Sequence, residues 1–221
     1  MKLSWSIPLL FGLACLLGGC GTKSYTLQYA PKIGEAYNYK MSLSGQRDAD
    51  VTMSMKPIRV EGNNVVVESR VVDMTIGGQP MPPATADLLK NLVITTTYDR
   101  QEHIISNDVS GVPSQVAAAF KSQGAGTNAA YPDKPVKVGD SWTGTVDMLG
   151  KSVEMTYKLD GVENVGGKEA AIVEGTVSSN APFQLKAPMK MQIELATGMP
   201  ISATMEAEAA GQSVKTTFTR L

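Results

Sequence analysis

The chain has 221 residues, enough for one large or two small domains, with Lys plus Arg at 20 and Asp plus Glu at 21. So even a balance excludes the broad basic face that neutralising phosphates requires, and nucleic acid is not an expected partner. An apolar content of 43% with 19% charged residues excludes a chain disordered throughout.

The first element is a leader. Met1-Lys2 gives a short basic start, Leu3 to Leu17 is apolar apart from Ser4 and Ser6, and Gly18 and Gly19 place small residues before Cys20. That order reads as an export signal over residues 1–19, and its apolar run is shorter than the roughly 20 residues a spanning helix needs. Leu17-Gly18-Gly19-Cys20 resembles the bacterial lipobox. The resemblance implies cleavage between Gly19 and Cys20, and a Cys20 that carries a thioether-linked diacylglycerol and an N-acyl chain such as palmitate. The competing reading is a plain secretory signal cut nearby, with Cys20 a bystander. Cys15 leaves with the leader, so Cys20 is the only thiol of the mature chain and no intramolecular disulfide can form. Two or three acyl chains anchor stably where one binds marginally, so the expected partner is a membrane that the protein sits on without crossing. Gly rather than Asp at position 21 points, by the enteric sorting rule, to the periplasmic face of the outer membrane if the envelope has two membranes.

Residues 20–24 form a tether, and 25–221 read as a single β-rich domain. Tyr37, Tyr39, Met41 and Leu43 alternate with Asn38, Lys40 and Ser42, which predicts a strand with one apolar and one wet face. The same period recurs at Val153, Met155, Tyr157 and Leu159, at Met189, Met191, Ile193 and Leu195, at Ile201, Ala203 and Met205, and at Val214 and Phe218. Turn signals at Gly62-Asn63, Gly77-Gly78, Gly166-Gly167, Thr197-Gly198 and Gly211-Gln212 separate these runs. Short helices are predicted over 84–92 and over 111–123. The fold expected is mainly β: a curved antiparallel sheet, open half-barrel or sandwich of about eleven strands with one or two short helices.

An offset of 105 lays Lys32-Ile33-Gly34-Glu35-Ala36-Tyr37 over Lys137-Val138-Gly139-Asp140-Ser141-Trp142. That predicts two related halves, 25–123 and 130–221, joined by a linker over 124–128. Chance matching among glycine-punctuated strands is the competing explanation.

Catalytic constellations are not visible in the sequence. His103, the single histidine, lies in Asp99-Arg100-Gln101-Glu102-His103, which reads as a polar turn without a nucleophile elbow nearby. His103 and Cys20 cannot furnish a zinc site, and Asp48 with Asp50 are too few for a calcium loop, so no metal or cofactor is expected beyond the lipid on Cys20. A pair of carboxylates about 5 to 9.5 Å apart, as in glycoside hydrolysis, would leave no sequence trace. The alternating acids Glu154, Glu194 and Glu206 read as solvated strand faces. Methionine is abundant, with 12 residues against 4 phenylalanines. The pairs Met53-x-Met55 and Met189-x-Met191 suit Cu(I) in principle but core filling more simply. A third reading lines a concave sheet with Tyr37, Tyr39, Met41, Met53, Met55, Trp142, Met155, Tyr157, Met189 and Met191 for an apolar ligand.

Tyr131-Pro132-Asp133-Lys134-Pro135-Val136-Lys137-Val138-Gly139-Asp140-Ser141-Trp142 resembles a feature of uncharacterised bacterial lipoproteins, a Pro-rich lead into Val-x-Val-Gly-Asp-x-Trp. The likeness extends to an Asp-x-x-Gly-type turn, here Asp99-Arg100-Gln101-Glu102 with Glu in place of Gly, and to Ala196-Thr197-Gly198 with Gly kept. It implies location and architecture but no reaction. By layout the chain is also similar to periplasmic lipoprotein carriers, whose curved sheet wraps a helix. The function expected is a lipid-anchored, non-enzymatic envelope protein that binds an apolar ligand or an envelope protein partner on a curved β surface. The alternatives are a cell-envelope hydrolase with an unlocated carboxylate pair and a scaffold without a pocket.

Overall fold

A computed structural model of the chain describes residues 23–45, 48–122, 131–148, 151–177, 184–209 and 212–221. The leader, Cys20 and the 124–128 linker lie outside them. In chain order the elements are β1 (Ser24–Tyr25), β2 (Tyr37–Ser44), β3 (Ala49–Glu61), β4 (Asn64–Ile76), β5 (Gln79–Pro80), α1 (Pro83–Asn91), β6 (Val93–Tyr98), β7 (Ile104–Ser110) and α2 (Ser114–Ser122). There follow β8 (Val136–Lys137), β9 (Ser141–Met148), β10 (Lys151–Val165), β11 (Lys168–Val177), β12 (Gln184–Leu185), β13 (Met189–Glu194), β14 (Pro200–Ala209) and β15 (Gln212–Arg220). Thirteen strands form one sheet that does not close into a barrel. Its path runs β7-β6-β4-β3-β2-β15-β14-β13-β11-β10-β9, with β5 and β12 at its margin, and β1 pairs with β8 apart from it. Every pairing is antiparallel. The mainly β expectation holds, and the short pieces β1, β5, β8 and β12 are what the alternation could not reveal, since two residues carry no period.

The register carries one apolar face across the sheet, because cross-strand partners point to the same side. Met53 pairs with Tyr39, Met41 with Phe218, Phe218 with Ala203, Ala203 with Met191, Met191 with Val173, and Val173 with Leu159. Asn38, Lys40, Glu154, Thr156 and Lys158 alternate with this face and are exposed. The apolar face is concave. Val65 and Val67 of β4 and Tyr98 of β6 share one buried cluster with Met155, Tyr157 and Leu159 of β10 and Met191 of β13, strands far apart in the sheet order. A second cluster lies on the same face, where Leu89 of α1 and Val112 and Ala117 beside and within α2 pack on Val71, Ile94 and Val109, around Leu92. The two helices therefore sit inside the curve of the sheet.

Antiparallel order sends alternate turns to one end. The starts of β2 and β9, the turns 62–63, 99–103, 166–167 and 195–199, and Leu221 all lie at the same end of the strands. Residues 23–31 run across this end as a strap. Ser24 pairs with Lys137, the Tyr29 N–H donates to the Arg100 carbonyl at 2.8 Å, and the Ala30 N–H to the Thr197 carbonyl at 2.9 Å.

Candidate functional site

Sequence reasoning proposed ten lining residues, and the concave face brings nine of them into its main cluster. Tyr37, Tyr39, Met155, Tyr157, Met189 and Met191 are buried among one another, and Met53, Met55 and Trp142 pack against them half-buried. Met41 is half-buried beside its strand partner Phe218. Aromatic contacts order the interior: Tyr39 stacks on Phe218 with centroids 4.4 Å apart, and Trp142 on Tyr157 at 5.7 Å. Tyr and Met suit this layer because a curved sheet leaves irregular gaps that a flexible thioether fills, while a phenol brings its own polar end to the rim.

The face divides into three zones. At the strapped end Tyr29, Tyr39, Tyr157 and Leu159 are fully buried; at the opposite end of β4, β6 and β7 the helices cover it. Between them Met41, Leu43, Met53, Ala203, Met205, Ala207 and Phe218 stay half-exposed on one continuous surface. Leu43 follows Met41 by two residues, and Met205 and Ala207 follow Ala203 by two and four, which keeps them on the same side. Sequence reasoning placed Met41 and Met53 here but missed Met205 and Ala207, although the alternation of β14 carried the signal.

The strapped end is capped by polar groups that the sequence did not bring together. Tyr131 donates its hydroxyl to the Gly198 carbonyl at 2.6 Å while its N–H donates to the Gln101 carbonyl at 3.0 Å, tying turn 99–103 to turn 195–199. Tyr39 donates to the Pro200 carbonyl at 3.1 Å, and Tyr29 packs on Tyr98 with centroids 5.1 Å apart. Burial, then the neighbouring Glu102 carboxylate, push the Tyr98 and Tyr131 phenols well above their ordinary range. Tyr29 is raised by burial, then by Tyr98 and Glu102; Tyr39 is raised by burial against the opposing pull of Arg220. Tyr39 and Tyr131 are structural donors, and burial holds all four phenols far from ionisation. Among the described residues the buried Tyr29 hydroxyl and Arg220 Nη2 have no hydrogen-bond partner.

Two sequence readings need correction here. Glu102 is buried rather than part of a wet turn, and it holds a left-handed φ of 66°. Asp99 organises the turn by accepting the N–H groups of Gln101 and His103 at 2.9 and 2.8 Å, on either side of Glu102. Glu194 is likewise not solvated: Arg220 Nη1 donates to it at 2.7 Å, with side chains only 8% and 12% exposed, and the Thr197 hydroxyl donates at 3.1 Å. Burial would raise the Glu194 carboxyl, but the bond and charge of Arg220, then Thr197 and Lys168, outweigh it and hold the carboxyl below its usual range. His103 is exposed, as expected for a turn histidine, with its ring Nδ1 2.9 Å from Asp99. Among the described residues no three His, Cys, Asp or Glu side chains gather as a metal site, and no helix is long and apolar enough to cross a membrane.

Residues 114–215 match the model of a family of unknown function, DUF6263, which spans α2 and most of the second half. No curated protein matches the chain. Among solved structures the chain is similar to a DUF1329 family protein from Desulfovibrio piger, at 13% identity and a TM-score of 0.32, over 83% of this chain and 82% of that one. It is similar to the hypothetical lipoprotein YmcC from Escherichia coli K12 at 14% identity and a TM-score of 0.36, over 85% and 88%. A domain assigned to outer membrane lipoprotein sorting, from Vibrio parahaemolyticus, matches at 11% identity and 0.32, over 84% and 82%. Likeness at this level carries no inference about activity.

Proposed function

We propose that the chain is a lipid-anchored envelope protein, not an enzyme, which takes an apolar ligand on the half-exposed middle zone of its concave sheet. The observation that carries the ligand is the continuous strip from Met41 and Met53 through Phe218 to Met205, apolar yet left half-exposed along the border of the main packed cluster. Folding gains from closing over such a surface, so an open one of this composition suits an occupant with flexible apolar chains. Methionine supports the reading, because thioether side chains re-pack around ligands of different shape at small cost.

The anchor rests on Leu17-Gly18-Gly19-Cys20 and the leader before it. Cys20→Ser tests it: the variant is expected to leave the membrane fraction or to keep its leader, and normal processing with full membrane retention overturns the assignment. Native mass spectrometry of chain extracted in mild detergent tests the ligand. The expected spectrum shows phospholipid or fatty acid in addition to the covalent acyl groups, lost in Met205→Asp. A chain that neither retains nor takes up lipid refutes the ligand and turns the strip into a surface for a protein partner.

A further inference from the structure

Large apolar side chains left in water among the described residues concentrate at the strapped end. Ile33, Val60, Ile105, Val138 and Leu221 are between 47% and 72% exposed, and all lie within three residues of a turn, a strand start or the chain end on that side. Only Val72 and Ile76 of the same class lie toward the other end. Ile33 and Val138 head the leads into β2 and β9, strands that run parallel in the sheet and so present both residues in the same direction. Scattered exposed apolar groups are ordinary on a protein surface, but their collection at one end is not.

The chain path says what lies beside this end. Lys23 is three residues from Cys20, so at the extended limit the acylated cysteine lies within about 11 Å of it. Ser24 is already fixed to Lys137, and Val138 is the next residue along. Some charges around the end pair locally, Lys23 with Glu169 at 3.0 Å, Lys32 with Glu35 at 3.6 Å, and Arg59 with Glu61 at 2.7 Å, while the exposed Asp133, Lys134, Lys137 and Asp140 around Val138 are of both signs in equal number. Headgroups would meet charge of both signs, which leaves the apolar contacts to decide the orientation.

We infer that the strapped end is a membrane-docking face: with Cys20 acylated, the body stands on the bilayer with Ile33 and Val138 in the interfacial layer and the concave strip held clear of it. The inference rests on the anchor proposed above and adds an orientation that a flexible tether alone would not impose.

Site-directed spin labelling of the acylated full mature chain tests it, since Cys20 is blocked by acylation and no other mature thiol competes. Ile33→Cys, Val138→Cys and, as reference, Val72→Cys are labelled with a nitroxide and reconstituted into vesicles of phosphatidylethanolamine and phosphatidylglycerol. The expected result is a rise in oxygen accessibility and a fall in accessibility to a water-soluble nickel chelate at positions 33 and 138, with position 72 unchanged. Acylated protein that floats with vesicles while all three labels stay equally water-accessible overturns the docking face and leaves the anchor standing. Protein whose intact mass shows no acyl group and which does not float overturns both. Labels at 33 and 138 immobilised without vesicles, together with a doubled mass in solution, give the face to a second copy of the chain and overturn the membrane assignment.

Discussion

Gly198→Ala isolates what the strap contributes. Gly198 has φ +67°, and a Cβ there would meet the Gln28 carbonyl oxygen, its carbon at 2.7 Å and Tyr29 Cα at 3.0 Å, all backbone atoms that no rotamer change can move aside. Gly34 has a similar φ of +83° with nothing within 4 Å of its Cβ position, so Gly34→Ala carries the left-handed penalty alone, about 1–2 kcal/mol. At Gly198 the strap must also lift. That forfeits the bonds from the Tyr29 N–H to Arg100 and from the Ala30 N–H to Thr197, about 1 kcal/mol each, and returns part of the buried Tyr29 ring to water, about 1–2 kcal/mol more. The expected loss is about 4–6 kcal/mol against about 1–2 for Gly34→Ala. Urea unfolding followed by tryptophan and tyrosine fluorescence measures both variants under one set of conditions, and limited chymotrypsin digestion in the absence of urea should show cleavage after the buried Tyr29 only in Gly198→Ala. Equal urea midpoints for the two variants, with Tyr29 still protected, would refute the idea that the strap is pinned by this close approach.

The tyrosines of the cap should separate by partner. Tyr131→Phe loses a buried bond of 2.6 Å and leaves the Gly198 carbonyl without it, at an expected cost of about 1–3 kcal/mol, whereas Tyr29→Phe removes a buried hydroxyl that bonds no group among the described residues and should be neutral or stabilising; thermal melts of the two variants decide it. Glu194 gives a pH signature: its folded carboxyl lies below the unfolded value of 4.5, so its contribution is complete above that value and is lost as pH falls through the lowered one. Glu194→Gln should flatten the acid limb of the stability curve below about pH 4.5, leaving the share of the exposed Asp50 and Asp160, which are also lowered; an unchanged limb counts against the pairing with Arg220. Arg220→Met, which removes the charge and keeps the length, should cost about 1–3 kcal/mol by leaving the half-buried Glu194 only Lys168 at 3.4 Å and the Thr197 hydroxyl, and Arg220→Met combined with Glu194→Met should recover much of that in chemical denaturation.

Two-residue alternation made the sheet legible because one face of it is wet along nearly every long strand. Val153 to Asp160 follows the period without a break, buried and exposed in turn, and helix start and stop signals found both helices, observed at Pro83–Asn91 and Ser114–Ser122. Curvature was not legible, because nothing periodic records which distant strands face each other across the concavity. Tyr29 and Tyr131 lie outside regular strands, and their partners Arg100, Gln101 and Gly198 are far away in sequence. Glu194 fell in the polar phase of β13 and looked solvated, since its burial comes from Arg220, 26 residues on, and from a turn that folds back over it. The lining residues were identifiable as inward-facing but not as buried or half-open, because that depends on where the helices and the strap end.

Glu102 shows how a departure from a turn pattern can be read as information. The position needs a left-handed backbone, which glycine adopts freely and glutamate only at about 1–2 kcal/mol. If the side chain did nothing, Glu102→Gly would recover that penalty less glycine's larger entropy loss, and would come out close to neutral. The side chain, however, is buried beside the Tyr131 phenol, and its charge is among the causes that raise Tyr29, Tyr98 and Tyr131. Glu102→Gly is therefore expected to destabilise by about 1–3 kcal/mol despite the easier backbone, through the lost contact and the space left among the rings. A neutral or stabilising outcome in equilibrium unfolding would mean that the strained glutamate contributes nothing to the cap, and that the link from turn 99–103 to turn 195–199 runs through Tyr131 alone.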